Sequence, residues 1–92
     1  MKPEYTPKNI RQVLGYLAEE CGEVVAAVGK TVRWGLLSVN PELPDGQLET
    51  NGAWIARELH DLERAIRFYR EMIGQADERG DFGMDVPIEV KP

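Results

Sequence analysis

Apolar residues recur at helical spacing in two long segments of the chain, and this pattern limits the folds open to it. The first stripe consists of Ile10, Val13, Leu14, Leu17, Cys21, Val24, Val25 and Val28. The second stripe consists of Trp54, Ile55, Leu59, Leu62, Ile66, Tyr69, Met72 and Ile73. Repeats of three and four residues place each set on one face of a helix. The sequence therefore predicts an all-α fold built around one long helical hairpin.

The boundaries of the first helix are predicted from its capping residues. Thr6 is suited to the N-cap and Pro7 to the first helical position. The helix is expected to continue to about Arg33 and to stop at Gly35. Cys21 lies on the apolar stripe, so a buried thiol is the expectation there.

The second helix is expected to begin at Thr50-Asn51, where either residue can cap it. Gly74 could end this helix, but the following residues allow it to continue to Gly80. Between the helices, residues 36–50 contain Pro and Gly breaks and predict a connecting loop, with a short helical turn near Leu36. A loop of this length is often functional.

The chain of 92 residues predicts a single domain, 1–92, with a helical core over about 7–79. The tail, 81–92, is polar and contains proline, and 86–90 is expected to extend as an arm across a neighbour. One hairpin makes a thin core. A second hairpin would complete a four-helix-bundle-type core, so a homodimer or homotetramer is expected.

Charge and composition exclude several classes of protein. The net charge of −5 argues against a general binder of nucleic acid or of anionic membranes. No apolar run approaches the roughly 20 residues of a membrane span. The polar N-terminal segment does not resemble a signal peptide, and the single cysteine excludes an internal disulfide. We therefore expect a soluble, cytoplasmic protein.

Acidic residues are paired on each predicted helix. Glu20 and Glu23 are three residues apart, as are Glu58 and Asp61, so each pair shares a helical face. Both pairs flank the predicted packing seam, whereas Glu19 points away from it. Four converging carboxylates would suit a hard divalent cation. Geometry alone leaves metal binding and plain surface charge equally open.

A family resemblance favours the metal site. The segment Leu17–Val24 (LAEECGEV), followed by Glu58–Asp61 (ELHD), resembles the E-E-x-x-E and E-x-x-D motifs of the all-α nucleoside triphosphate pyrophosphatases, the MazG-like superfamily. Lys30–Gly35 and the capping residues before the second helix resemble its small phage-type members. The resemblance covers roughly residues 10–73. The 34 residues between the two motifs are more than many relatives have.

The resemblance implies a site and a reaction. Its Mg²⁺ ligands would be Glu20, Glu23, Glu58 and Asp61, with Mn²⁺ as a substitute ion, and Glu19 would be an auxiliary acid. The implied reaction hydrolyses an NTP or dNTP to the monophosphate and pyrophosphate by metal-activated water. Glu20 or Glu23 would accept the proton of the attacking water.

The substrate contacts are less defined by the sequence. Lys30 and Arg33 are the candidates for phosphate binding, and a favourable cationic end of the first helix is the alternative role for both. Trp34 or Trp54 could stack on a base or belong to the core. His60 is expected to be exposed.

Two other functions remain open from the sequence. The chain could be a non-catalytic helical module whose apolar stripes serve assembly, with the acids as surface charge. It could also be a nucleotide or metal sensor that binds without turnover.

Overall fold

Two helices of similar length form the described part of the chain. The computed structural model describes residues 5–39 and 48–89. Helix α1 spans Ile10–Trp34 and helix α2 spans Asn51–Arg79. Their contacts run in opposite senses along the chain, because Tyr16 meets Arg64 whereas Lys30 meets Trp54. The helices are therefore antiparallel. Over these two ranges only isolated β-bridges accompany them, and the predicted all-α hairpin is confirmed.

Helix α1 begins later than the sequence predicted. Its N-cap is Asn9, whose side chain accepts a hydrogen bond from the Gln12 backbone N–H, rather than Thr6. Gln12 returns the interaction by accepting from the Lys8 backbone N–H at 2.9 Å, an arrangement close to a capping box. Pro7 is fully buried before the helix and does not occupy its first turn. Because this reciprocal pair supplies a stronger cap, the helical core starts at residue 10.

The other predicted helix ends are confirmed. Helix α1 is followed by Gly35 at φ 91°, whose N–H donates to the Thr31 carbonyl. Thr50 caps α2 by accepting from the Ala53 N–H. Helix α2 passes Gly74 and ends at Gly80, which has the left-handed φ of 66° that glycine adopts without steric cost.

The ends of the interhelical connection are held together. Ser38 accepts from the Asn51 N–H at 2.8 Å, and a turn follows Gly35 at the predicted position near Leu36. Val39 also bridges to Thr50. The centre of the predicted loop, residues 40–47, lies outside the described residues.

The C-terminal tail contacts its own chain, contrary to the prediction of an arm across a neighbour. The Ile88 N–H donates to the Lys8 carbonyl at 2.8 Å, and Asn9 forms a bridge with Pro87. The Ile88 side chain packs against the hydrophobic core. The extended backbone before α1 offers a free edge, and burying Ile88 there stabilises the tail. Residues 90–92 lie outside the described residues.

One face of α2 packs on α1, and this face is rotated from the predicted stripe. Its buried residues are Asn51, Glu58, Ala65, Phe68, Met72 and Ala76. Several members of the predicted stripe lie beside this face, since Leu59 is exposed and Ile55 and Ile66 are half-buried. The seam is formed by small alanines together with Phe68 and Met72, which are among the largest fully buried side chains.

Large apolar side chains are therefore left on the surface. On α1 and the turn after it, they include Val25, Val28, Val32, Leu36 and Leu37, which we call the open apolar face. Cys21 is also exposed, so the predicted buried thiol is wrong. The reason is that the seam, which runs through Val13 and Ala27, is rotated around α1 from the predicted stripe.

The hairpin is one layer thick. Its shortest dimension is 15 Å, little more than the roughly 10–12 Å diameter of one helix with its side chains. Neither described helix is both long and apolar enough to cross a membrane.

Candidate metal centre

Three carboxylates from the two helices meet at the packing seam. Glu20 comes from the middle of α1, and Glu58 and Asp61 come from neighbouring turns of α2. One ligand oxygen from each residue lies within 4.8 Å of the other two. We call these three residues the acid cluster. The structure brings together three of the four predicted ligands.

Glu58 is the most deeply placed member of the acid cluster. Only 4 % of the residue is exposed, although ionised glutamate is seldom buried without partners. Its Oε1 accepts a hydrogen bond from the Trp54 indole N–H at 3.2 Å. The same oxygen lies 3.1 Å from Nη1 of Arg57. These two contacts, from Trp54 one turn earlier and from the preceding residue Arg57, fix the orientation of the carboxylate.

The second oxygens of two cluster members have no protein partner. Oε2 of Glu58 and Oε2 of Glu20 are both buried, and neither accepts a hydrogen bond from the described residues. A buried carboxylate oxygen without a donor is costly. Mg²⁺ prefers oxygen ligands of this kind. The donor set is therefore suited to a hard divalent cation, and the two unpartnered oxygens are available as ligands.

The charges in the acid cluster act on one another. Burial raises the pKa of Glu20 above its ordinary value, and the nearby charge of Asp61 raises it further. Burial disfavours the charged carboxylate because it removes water, and Asp61 disfavours it by like-charge repulsion. A bound cation would relieve the same repulsion.

Glu23 lies beside the acid cluster rather than within it. Its side chain is exposed, and it is not among the three residues with converging oxygens. Its pKa is raised from 4.5 to about 7, first because the protonated carboxyl can hydrogen-bond to Glu58 and then because of burial and the charge of Glu20. Glu23 can thus hold a proton near neutral pH.

The remaining candidate residues lie outside the acid cluster. Glu19 is exposed, as predicted, and so is His60. Lys30 places Nζ 5.6 Å from the centre of the Trp54 ring, so its charge is next to a residue that binds Glu58. Arg33 is exposed in the last turn of α1, where a cation suits the helix dipole. Trp34 is exposed rather than part of the core.

Trp54 is the residue whose role the sequence did not reveal. The sequence predicts a core or base-stacking side chain at Trp54. In the structure its indole N–H donates a hydrogen bond to Glu58. The signal was the four-residue spacing from Trp54 to Glu58, which places both on one helical face. Arg57 forms the second contact, an ion pair with Glu58. Arg57 also binds Glu49 just before α2, at 2.7 Å.

The acid cluster contains converging carboxylates, a nearly buried glutamate and oriented contacts from Trp54 and Arg57. Comparison with known protein families, with curated proteins and with solved structures finds no match.

Proposed function

We propose that the chain is a Mg²⁺-dependent nucleoside triphosphate pyrophosphohydrolase, with Mn²⁺ as a possible substitute ion. The supporting observation is that Glu58, only 4 % exposed, has an unpartnered oxygen within an acid cluster of three residues. The resemblance of the two acidic motifs to the MazG-like pyrophosphatases adds the reaction. The substrate would be an NTP or dNTP, and the products the monophosphate and pyrophosphate.

In this proposal Glu20, Glu58 and Asp61 hold the ion, and Glu23 remains the predicted fourth ligand. When bound, Mg²⁺ supplies neutralisation of the substrate's phosphate charge and acidifies the attacking water. Trp54 and Arg57 keep Glu58 in its ligand orientation.

Glu23 is the residue best suited to accept the proton from that water. Its carboxylate lies beside the three converging ligands rather than among them, a position suited to a base that takes a proton from a water held by the ion. Attack at the α-phosphorus then forms one P–O bond while the bond to pyrophosphate breaks. Glu20 was the other candidate, but its oxygens converge with those of Glu58 and Asp61, which favours a ligand role.

Assembly into a homodimer or homotetramer is part of the same proposal. The open apolar face supports it, because Val32 and Leu37 are 84 % and 86 % exposed. Exposed apolar patches of this kind mark interfaces in many proteins. A second hairpin on this face would complete a four-helix bundle. Sedimentation analysis over a range of concentrations measures it, and a monomer at all of them would contradict it.

The same apolar surface also favours the second candidate, a non-catalytic helical module. Its acids would then be surface charge with no ion to bind. The two candidates differ in their response to Mg²⁺, since a ligand that binds only the folded state raises the melting temperature. A non-catalytic module should melt at the same temperature with and without the ion.

The decisive experiment is a nucleotide panel with pyrophosphate detection. The four common NTPs and four dNTPs are incubated with Mg²⁺ or Mn²⁺, with EDTA as the control. The proposal expects pyrophosphate from at least one nucleotide and none in EDTA. If no nucleotide releases pyrophosphate but Mg²⁺ still raises the melting temperature, the chain is a sensor that binds without turnover.

A further inference from the structure

A cavity opens directly beside the acid cluster, on the side of α1. Its volume is about 520 Å³, within the range of roughly 300–1,000 Å³ that small-molecule sites occupy. It is lined by Tyr5, Gln12, Gly15, Tyr16, Glu19 and Glu20. We propose that this tyrosine cavity binds the nucleoside of a nucleotide whose phosphates lie at the acid cluster. The inference rests on the proposed function and adds where the base and sugar of the substrate would bind.

The tyrosine cavity adjoins the acid cluster. Glu20 belongs both to its lining and to the acid cluster, so the two sites are continuous. A nucleotide has the same arrangement, because its base and sugar continue directly into the phosphate chain. Another cavity, of about 450 Å³, is lined only by α2 residues between Glu63 and Glu71 and includes no member of the acid cluster.

One wall of the tyrosine cavity is aromatic and consists of Tyr5 and Tyr16. The Tyr16 hydroxyl accepts a hydrogen bond from Nη1 of Arg64 at 2.9 Å. The Arg64 guanidinium packs 4.5 Å from the centre of the Phe68 ring, which is fully buried. The Tyr16 ring is thus held in place before any ligand arrives. Tyr5 meets it edge-on, with ring centres 5.3 Å apart. Flat nucleobases stack on tyrosine rings regardless of their identity.

The polar groups of the tyrosine cavity fit the edge of a base. Gln12 uses Oε1 to accept from the Lys8 N–H, so its amide nitrogen supplies donors at this wall. Glu19 supplies a carboxylate, which accepts hydrogen bonds only. Ring N–H and exocyclic amino groups of a base are donors that Glu19 could bind. This gives Glu19, which lies outside the acid cluster, a contact with the base.

Gly15 lines the cavity without a side chain. A Cβ added at this position would meet no heavy atom within 4 Å. Glycine is unfavourable inside a helix compared with alanine, and no close packing in the described structure requires it here. Gly74 of α2 is equally open but lies far from the acid cluster along its helix. The two glycines therefore form a matched pair for substitution.

The test measures binding rather than turnover, so that it does not depend on catalysis. The probes are the Mg²⁺ complexes of α,β-methylene analogues of ATP, GTP, CTP and UTP, and of inorganic tripolyphosphate. The analogues contain a nucleoside and tripolyphosphate does not, while both present phosphates to the ion. Dissociation constants are measured by calorimetry for the wild type, Gly15→Leu and Gly74→Leu.

Gly15→Leu is expected to weaken the tightest nucleotide analogue at least about 10-fold, because the leucine side chain fills the cavity. Its affinity for tripolyphosphate should stay within about twofold of wild type. Gly74→Leu should leave both constants unchanged. Tyr5→Ala provides a second variant outside the helices, with Phe82→Ala, a similarly exposed aromatic, as its control. Tyr5→Ala should also weaken only the nucleotide analogue.

Two results would overturn the inference, and they differ in what else they affect. If wild type binds tripolyphosphate but Gly15→Leu and Tyr5→Ala bind the analogues normally, the nucleoside lies elsewhere and the proposed function stands. The same conclusion follows if the variants weaken both probes equally. If wild type binds neither probe in the presence of Mg²⁺, the proposed function and the nucleoside site fail together.

Discussion

The two ends of the α1–α2 seam use the same face of α2 for opposite purposes. Near the chain termini, Phe68, Met72 and Ala76 of this face are at most 1 % exposed and pack with Val13. About three turns from Phe68 toward the N-terminus of α2, the same face carries Glu58, which is also buried but ionisable. One end stabilises the hairpin, and the other gives up apolar packing for carboxylates.

The difference separates the part of the face that stabilises the fold from the part that carries the acid cluster. A glutamate at a buried seam position breaks the local rule that makes the rest of the face predictable. Its contacts with Trp54 and Arg57 engage only one of its two oxygens. Substitutions at each end of the face test this contrast.

The largest effect is expected from Phe68→Ala at the apolar end. Deleting a fully buried phenyl ring costs about 3–5 kcal/mol of unfolding free energy, most of what a small domain has. Phe68 also supports Arg64, which packs on its ring. Urea denaturation followed by circular dichroism, at one fixed protein concentration, measures the loss.

Phe82→Ala is the control for this substitution. Phe82 is 53 % exposed, so its removal should cost no more than about 0.5 kcal/mol. Equal losses for the two variants would show that the apolar end is not the stabilising part of the hairpin.

Asp61→Asn should raise the stability of the metal-free protein and lower its activity. It removes a charge that raises the pKa of Glu20, so the metal-free protein should gain about 0.2–0.5 kcal/mol, as when a like-charge contact is relieved. Release of pyrophosphate should fall at least about 100-fold, since a ligand matters more than the groups that support it. Thermal melting without metal and the pyrophosphate assay give the two quantities.

Glu63→Gln provides the matched control, because Glu63 lies on an exposed position of the same helix. It should change neither quantity measurably. If Asp61→Asn lowered stability and kept full activity, the acid end would be a structural feature and not a metal site.

The sequence predicted this contrast only in part. Helical spacing and the Gly35, Thr50 and Gly80 caps were sufficient to place three of the four helix ends, since these signals are local. The depth of Glu58 was not predictable, because it depends on how α2 rotates against α1. The buried face includes Ala65 and Phe68, and neither belongs to the predicted stripe.

The two tertiary errors have the same origin. Cys21 was expected to be buried, and the 86–90 arm was expected on a neighbour. In the structure Cys21 lies off the seam, and Ile88 packs on its own core. Both outcomes depend on contacts between residues far apart in the chain. The acidic motifs, by contrast, could be identified because each pair is defined within one helical turn.

A smaller effect is expected from Trp54→Phe, which removes one donor to Glu58 and keeps an aromatic ring. Affinity for Mn²⁺ should fall about 10-fold, because groups that orient a ligand contribute about that much. The loss of one hydrogen bond should cost about 1 kcal/mol of stability. Calorimetric titration with Mn²⁺ measures the affinity.

Trp34→Phe is the control, since Trp34 is exposed and has no contact with the acid cluster in the described structure. An unchanged Mn²⁺ affinity in Trp54→Phe would mean that Arg57 alone is sufficient to orient Glu58.

The smallest effect is a dependence of stability on pH. The pKa of Glu23 is about 7 in the folded, metal-free protein and 4.5 ordinarily. Between about pH 5 and 7 the folded state therefore holds more protons than the unfolded state, and its stability falls as the pH rises. The exposed position of Glu23 limits the change through solvent screening. Metal-free protein should melt no more than a few degrees lower at pH 7.5 than at pH 5.

Mg²⁺ should reverse the sign of this dependence. The ion requires ionised carboxylates, so its stabilising effect should increase from pH 6 to pH 8 as Glu23 loses its proton. Glu23→Gln cannot titrate, and in that variant the metal-free melting temperature should vary less with pH than in wild type. If Glu23→Gln kept the full pH dependence, the proton would belong to another group, and the adjoining Glu20, whose pKa is also raised, would be the next carboxylate to substitute.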